Sequence, residues 1–192
     1  GLRLAADDSM KAGLLTYGVH PEAMVRASEV RCSGAGSDFR LDTPWGMVPF
    51  HLSVLGRFNI SNALAATAAC GALGIAPQAC ASALAAMKPV PGRLEQIPNS
   101  KGALIFVDYA HTDDAMANVL QTLREITSRR LLVVFGCGGH RDRAKRPLMG
   151  AVAGALADYS IITSDNPRDE DPVDIVVQIA SGFTFSGHFE ME

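Results

Sequence analysis

Apolar residues in the second half of the chain fall into short blocks separated by stripes of helical period. Leu104-Ile105-Phe106-Val107 is a continuous apolar run and predicts a strand buried on both faces. Met116, Val119, Leu120, Leu123 and Ile126 then recur at helical spacing on one face. Leu131 to Phe135 predicts a second buried strand. Pro147 is expected to open a helix that carries Leu148, Met149, Val152 and Leu156. Tyr159 to Thr163 predicts a third strand, and Pro172 a last helix with Val173, Val176, Val177 and Ala180. Strand followed by helix three times over predicts a parallel sheet with right-handed crossovers.

The first half has a different rhythm. Val25–Cys32, Asp38–Leu41 and Trp45–Leu52 alternate or are rich in β-formers, with a Thr43-Pro44 turn before the last. After Gly56-Arg57-Phe58-Asn59-Ile60-Ser61-Asn62 comes an Ala-rich helix to about Leu73, closed by Gly74. A second small-residue helix covers about Pro77 to Met87, and Pro89, Pro91 and Gly92 then break the chain. The break predicts a domain boundary, with an incomplete α/β unit before it and a parallel-sheet unit after it. The fold class is therefore α/β.

The composition, 48% hydrophobic and 19% charged over 192 residues, supplies a real core and argues against disorder. A net charge of -3 gives no general attraction to nucleic acid or to a membrane surface. No apolar run approaches the roughly twenty residues that span a bilayer. The start, Gly1 to Asp8, has too short an apolar stretch for a signal peptide, and without an initiator Met the chain is expected to begin inside a longer protein. Cys32, Cys70, Cys80 and Cys137 are scattered and read as reduced thiols; no metal site is expected from them.

In a parallel sheet, ligands bind beyond the carboxyl ends of the strands. The loops leaving those ends hold Asp108 to Asp114, Gly136 to Arg146 and Ser164 to Arg168. Each has a bland reading. Asp108 could start a turn, Thr112 or Asp113 could cap a helix, and a lone His111 is more often structural than catalytic. Gly136, Gly138 and Gly139 allow close approach of backbone to an anion, yet a Gly-rich turn alone is a weak sign. The cations from Arg141 to Arg146 could form a solvated face, and no aromatic residues interleave with them as on a single-strand nucleic-acid surface. Asp165-Asn166-Pro167 could be an Asx turn. The weight lies in their convergence: all three loops are expected to face one cleft.

Taken in order, these strings resemble the Mur ligase family. Gly56 to Ala66 looks like the helix-opening motif that ends the family's central domain, and Pro91-Gly92-Arg93-Leu94-Glu95 like its junction into the C-terminal domain. DYAHT at 108–112, FGCGG at 135–139, RD at 141–142, KRPLMG at 145–150 and DNPR at 165–168 look like the family's diaminopimelate-adding branch. The likeness covers roughly residues 50–175. Two positions depart from the pattern: Asp113 stands where Pro is frequent, and His140 where an acid or amide is usual.

The resemblance implies that residues 1–90 are the C-terminal portion of the central ATP-binding domain. Residues 91–192 are then the N-terminal portion of the Rossmann-like, largely parallel-sheet C-terminal domain. It implies an ATP-dependent, amide-bond-forming ligase of peptidoglycan precursor synthesis in the cytoplasm. ATP, with Mg2+ held mainly upstream of this stretch, would phosphorylate a D-Glu carboxylate of UDP-N-acetylmuramoyl-L-Ala-D-Glu. An amine of meso-diaminopimelate would then attack the acyl phosphate. The partners implied are these small molecules, with no nucleic acid and no membrane. By carry-over, Asn59 and Asn62 hold the adenine side of ATP, and Arg93, Asp108 and Tyr109 the ribose side, with His111 as the catalytic candidate. Arg146, Asp165, Asn166 and Arg168 hold diaminopimelate. Of the lysines Lys11, Lys88, Lys101 and Lys145, none precedes Ser or Thr, so no phosphate-binding loop of the G-x-x-x-x-G-K-[ST] kind is present. The stretch is thus expected to be cut at both ends and unable to turn over ATP alone. A different ligase of the superfamily, of cyanophycin-synthetase or folylpolyglutamate-synthetase type, and a non-catalytic nucleotide-binding module are the alternatives.

Overall fold

A computed structural model of the chain describes residues 13–184 and 188–192. The N-terminal stretch read against a signal peptide, and Lys11, lie outside the described residues. Internal contacts divide the chain into two compact units that meet between Leu94 and Glu95.

The first unit is a four-stranded sheet in the order β1-β2-β3-β4, made of β1 (Tyr17–Gly18), β2 (Val25–Ser33), β3 (Gly36–Thr43) and β4 (Gly46–Leu52). β1 pairs with β2 in parallel, and the other pairings are antiparallel. The alternation in the sequence decides which face is dry. Val25 and Ala27, Phe39 and Leu41, and Val48, Phe50 and Leu52 all point inward and are buried. Phe39 and Phe50, register partners, stack with ring centroids 4.7 Å apart. Helix α1 (Arg57–Ala72) covers this face with Ile60, Ala63, Leu64 and Ala68. Each fully buried large apolar side chain contributes about 1.5–3 kcal/mol. Trp45 lies against α1 so closely that a Cβ at Gly71 would overlap the indole. Helix α2 (Pro77–Ala85) opens on a proline and packs beside β4.

One expectation here is corrected. Residues 57–62 do not precede the helix but form its first turns, because Gly56, at φ 99°, occupies the N-cap itself.

In the second unit, β5 (Glu95–Ile97) and β6 (Ile105–Val107) form an antiparallel ribbon. β7 (Leu132–Phe135), β8 (Tyr159–Ile162) and β9 (Phe189–Met191) form a separate, parallel sheet. The parallel sheet was expected, but β6 is not one of its strands. The cause is local. Asn99 accepts the Lys101 N–H at 2.9 Å and donates to the Ala103 carbonyl at 2.7 Å, and Gly102 turns the chain at φ 72°. That closed turn brings β6 back on β5.

Helices α3 (Asp113–Ile126), α4 (Lys145–Leu156) and α5 (Pro172–Ala180) pack through Met116, Leu120, Met149, Ala153, Ile175 and Ile179. α3 is capped by Thr112, whose Oγ1 accepts the Ala115 N–H at 3.2 Å, and α5 by Asp171, which accepts the Val173 N–H at 2.8 Å. α4 starts two residues before Pro147, which therefore sits inside the first turn, where its missing N–H leaves no helical bond unmade. The expectation that β6 and β7 are buried on both faces fails. Val133 and Phe135 pack toward the helices, while Leu132 and Val134 are 54% and 63% exposed on a face that no described element covers. Among the described residues, no helix is long and apolar enough to cross a membrane.

Candidate functional site

The segments that follow β6, β7 and β8 line a single cleft of about 610 Å³ in the second unit. Asp108 to His111 come from the first, Gly136 to Gly139 with Arg141, Asp142 and Lys145 from the second, and Asp165, Asn166 and Arg168 from the third. This is the carboxyl edge of the parallel strands, as the sheet rule predicts.

Each loop is shaped by its own backbone bonds. The Asp108 carboxylate accepts the Ala110 N–H at 2.7 Å, so the bland reading of Asp108 as a turn-former holds together with its place in the cleft. The His111 ring lies with Nδ1 3.1 Å from the Tyr109 carbonyl, which orients it when Nδ1 carries the proton. Tyr109 itself is 65% exposed.

The glycine-rich loop is pressed onto the third loop. The Gly139 N–H donates to the Asn166 carbonyl at 2.8 Å. A Cβ at Gly139 would overlap the Pro167 carbonyl oxygen, and one at Gly136 the Thr163 carbonyl oxygen. At these two positions glycine is required by close approach.

The cations of residues 141–146 are divided among different tasks. Arg141 and Lys145 line the cleft. Arg143 pairs with Glu170 at 3.0 Å, and Asp142 accepts the Ala144 N–H at 3.0 Å. Arg146 does not line the cleft. It is 1% exposed and faces inward, donating to both Glu170 oxygens at 3.0 Å, to Gln178 Oε1 at 2.8 Å and to the Gly138 carbonyl at 3.3 Å. The guanidinium assigned to substrate is therefore committed to protein groups. Arg141, which sequence reasoning left unassigned although its Arg-Asp pair matched the family pattern, faces the cleft in its place.

Arg168 is the reverse case. Its backbone is left-handed at φ 53°, and among the described residues its guanidinium makes no ion pair or hydrogen bond. The neighbours that could have taken it are occupied: Asp169 lies 3.3 Å from His140 Nε2, and Glu170 holds Arg146 and Arg143. His140 is left-handed too, at φ 53°. Asn, Asp and His tolerate that region better than most residues, so a histidine can hold this turn.

Two groups have well-marked protonation. Glu170 is held down at about 2, first by the Arg146 hydrogen bonds and next by the His140 N–H, so it stays ionised. Burial pushes the Cys137 thiol up, and its Sγ lies 3.6 Å from Met149 Sδ. Cys137 is a packed, protonated thiol, and Cys32, Cys70 and Cys80 are also unbridged. No group of three or more His, Cys, Asp or Glu among the described residues could hold a metal ion.

The remaining nucleotide candidates lie in the first unit. Asn59 donates to the Leu55 carbonyl at 2.7 Å, and Asn62 donates to Asn59 Oδ1 at 3.2 Å, so both sit at the start of α1. Each amide keeps further donor and acceptor capacity. Arg93 is exposed.

Comparison with known proteins gives these geometries a family. Residues 92–191 match the Mur ligase glutamate ligase domain, and residues 3–70 the Mur ligase middle domain. The UDP-N-acetylmuramoyl-L-alanyl-D-glutamate–2,6-diaminopimelate ligase of Geobacter metallireducens is 50% identical over 187 residues, 97% of this chain and 36% of the relative. The ligase of the same name from Geobacillus kaustophilus is 46% identical over 171 residues, 89% of this chain and 35% of the relative. A solved structure of a protein with that name superposes with a TM-score of 0.64 at 38% identity, covering all of this chain and 39% of that one. The chain thus spans little more than a third of the length of these relatives. With one family model covering over half its residues and its motif-bearing loops gathered at one sheet edge, the chain belongs to the Mur ligase family.

Proposed function

We propose that this chain is a section of an ATP-dependent ligase that joins meso-diaminopimelate to UDP-N-acetylmuramoyl-L-Ala-D-Glu through an acyl phosphate, in the cytoplasm. In this reading residues 1–90 are the C-terminal portion of the central ATP-binding domain. Residues 91–192 are the N-terminal portion of the C-terminal domain. The observation that carries it is the Arg168 guanidinium, without an ion pair or hydrogen bond among the described residues, on a cleft that also presents Arg141 and Lys145.

The chemistry follows from the difference between two amino acids. Diaminopimelate has a second carboxylate where lysine has only its side-chain ammonium. A fixed guanidinium there binds the first by paired, charge-assisted hydrogen bonds and repels the second. Pro167 fixes its own φ just before Arg168, so the guanidinium is held near its working place before substrate arrives. Asp165 and Asn166 supply acceptor and amide groups for the substrate's amine and carboxylate. Arg141 takes the role first given to Arg146. Asn59, Asn62, Arg93, Asp108 and Tyr109 are assigned to ATP, and His111, oriented by its own loop, to proton handling beside it.

Phosphoryl transfer is driven by positioning and charge neutralisation, and Mg2+ commonly shares that task. The described residues offer no cluster fit to hold the ion, so no step here is routed through it.

Steady-state kinetics of the full-length ligase test the reading. Arg168→Ala is expected to lower the specificity constant for diaminopimelate by at least about a hundredfold, roughly 2.7 kcal/mol, and to leave the KM for ATP within about twofold. Unchanged use of diaminopimelate removes the specificity assignment.

A further inference from the structure

The cleft's cations stand on two separate segments. Arg141 belongs to the loop after β7, Lys145 to the first turn of α4 that ends this loop, and Arg168 to the loop after β8. Something must fix the spacing between them, because neither loop is a regular element and both contain a left-handed residue, His140 in one and Arg168 in the other.

Glu170 is placed to do this. It is absent from the cleft lining, and its side chain is 12% exposed. Its Oε1 accepts the His140 N–H at 2.7 Å and Arg146 Nη2 at 3.0 Å. Its Oε2 accepts Arg146 Nη1 and Arg143 Nη2, both at 3.0 Å. The Glu170 N–H closes the turn around Arg168 by donating to the Pro167 carbonyl at 3.0 Å. Through Arg146 the same carboxylate reaches the Gly138 carbonyl and Gln178 on α5. One side chain, two residues beyond Arg168, thus grips the opposite loop on both sides of Arg141.

A carboxylate suits this position and its amide does not. Glutamate presents four acceptor positions to donors that all point at it, and holds the guanidinium by two parallel bonds. Glutamine would turn an N–H toward one of those donors. The depressed protonation of Glu170 keeps the grip closed across the neutral range.

We propose that Glu170 is a positioning residue that sets the spacing between the Arg141 and Arg168 guanidiniums, and so the length of diamino dicarboxylic acid the cleft accepts. This rests on reading the cleft as the diaminopimelate site. Glu170 touches no substrate; it acts through Arg146 and the His140 N–H.

The test uses the full-length ligase carrying Glu170→Gln, with Glu170→Asp as the conservative variant. The KM for diaminopimelate should rise at least about tenfold in Glu170→Gln, with kcat falling less and the KM for ATP staying within about twofold. Preference for diaminopimelate over homologues one methylene shorter or longer should narrow. Glu170→Asp, which keeps the charge, should recover part of both effects. Amide hydrogen exchange should quicken together at Gly139, His140 and the turn around Arg168, with α3 unaffected. A diaminopimelate KM and length preference equal to wild type, or equal rises in both KM values, overturn the proposal. If the wild-type ligase does not use diaminopimelate, the reading of the cleft fails. The exchange experiment then decides the grip alone, and unchanged exchange in Glu170→Gln overturns it.

Discussion

On the outer face of the first unit, Asp42 gathers Arg26 at 2.8 Å, Arg40 at 2.8 Å and Ser28 at 2.9 Å, while Arg40 also pairs with Glu29 at the bulge of β2. In the second unit, Glu170 gathers Arg146, Arg143 and a backbone N–H. The parts are nearly the same, and both carboxyls are held at about 2, Asp42 chiefly by Arg40 and Glu170 chiefly by Arg146. The burial differs. Arg26 and Arg40 keep 28% and 43% of their side-chain surface, Arg146 only 1%. The first network ties neighbouring strands already joined by a ladder of backbone bonds. The second joins two irregular loops that meet otherwise through the Gly139–Asn166 backbone bond, the exposed His140–Asp169 pair and close glycine packing, with no ladder between them. A protonation shift therefore says how well a carboxylate is partnered, and says nothing of what depends on it.

Arg146→Ala is the harshest way to break that contrast. It leaves an empty space and uncompensated acceptors in the interior and is expected to cost about 3–5 kcal/mol, read from urea unfolding of the second unit by amide exchange. A loss comparable to that of an exposed pair would show the two networks to be equivalent. Acid is milder. Each carboxyl is depressed in the folded state, so each stabilises above its ordinary value, 4.5 for Glu170 and 3.8 for Asp42, and that contribution is lost as pH falls toward about 2. Exchange at His140, corrected for intrinsic rates, should begin to quicken at a higher pH than exchange in the β2–β3 ladder. Thr112→Ala sharpens the comparison at the level of helix ends. α3 starts on a side-chain cap and α1 on Gly56 without one, so the substitution should cost about 1 kcal/mol in the second unit and have no counterpart in the first. Arg40→Ala should have the smallest effect, a slight loss of stability that shrinks further as salt is added, and Trp45 fluorescence reports it.

Much of this was legible in the residues because the signals were periodic. Alternation placed β2, β3 and β4, and the stripe of Met116 and Leu120 placed α3. The convergence of three loops on one cleft followed from the strand–helix order. What escaped depended on contacts between distant residues. The β5–β6 ribbon turned on a closed loop at Asn99 to Gly102, a sign present in the sequence but outweighed by the apolar run after it. Exposure of Leu132 and Val134 could not be read from composition, since an apolar strand looks the same whether its second face is covered or bare. Arg141 and Arg146 share one run of cations, and only the fold reveals that Glu170 turns the second inward and leaves the first facing the cleft.

The two sheets also differ in how far the chain must travel to build them. Gly34 and Ala35 alone separate β2 from β3, and Pro44 and Trp45 alone separate β3 from β4. β8 finds β7 only after the glycine-rich loop and all of α4 have been made, and β9 waits for α5. Closing short hairpins is fast, whereas parallel pairing must first overcome the entropy of a long excursion. Emerging from the ribosome in chain order, the meander can therefore complete itself while the residues of the cleft are still being synthesised. Within this stretch, the half that carries the cleft is expected to fold after the meander, with Leu132 and Val134 on an unpaired strand until β8 is in place.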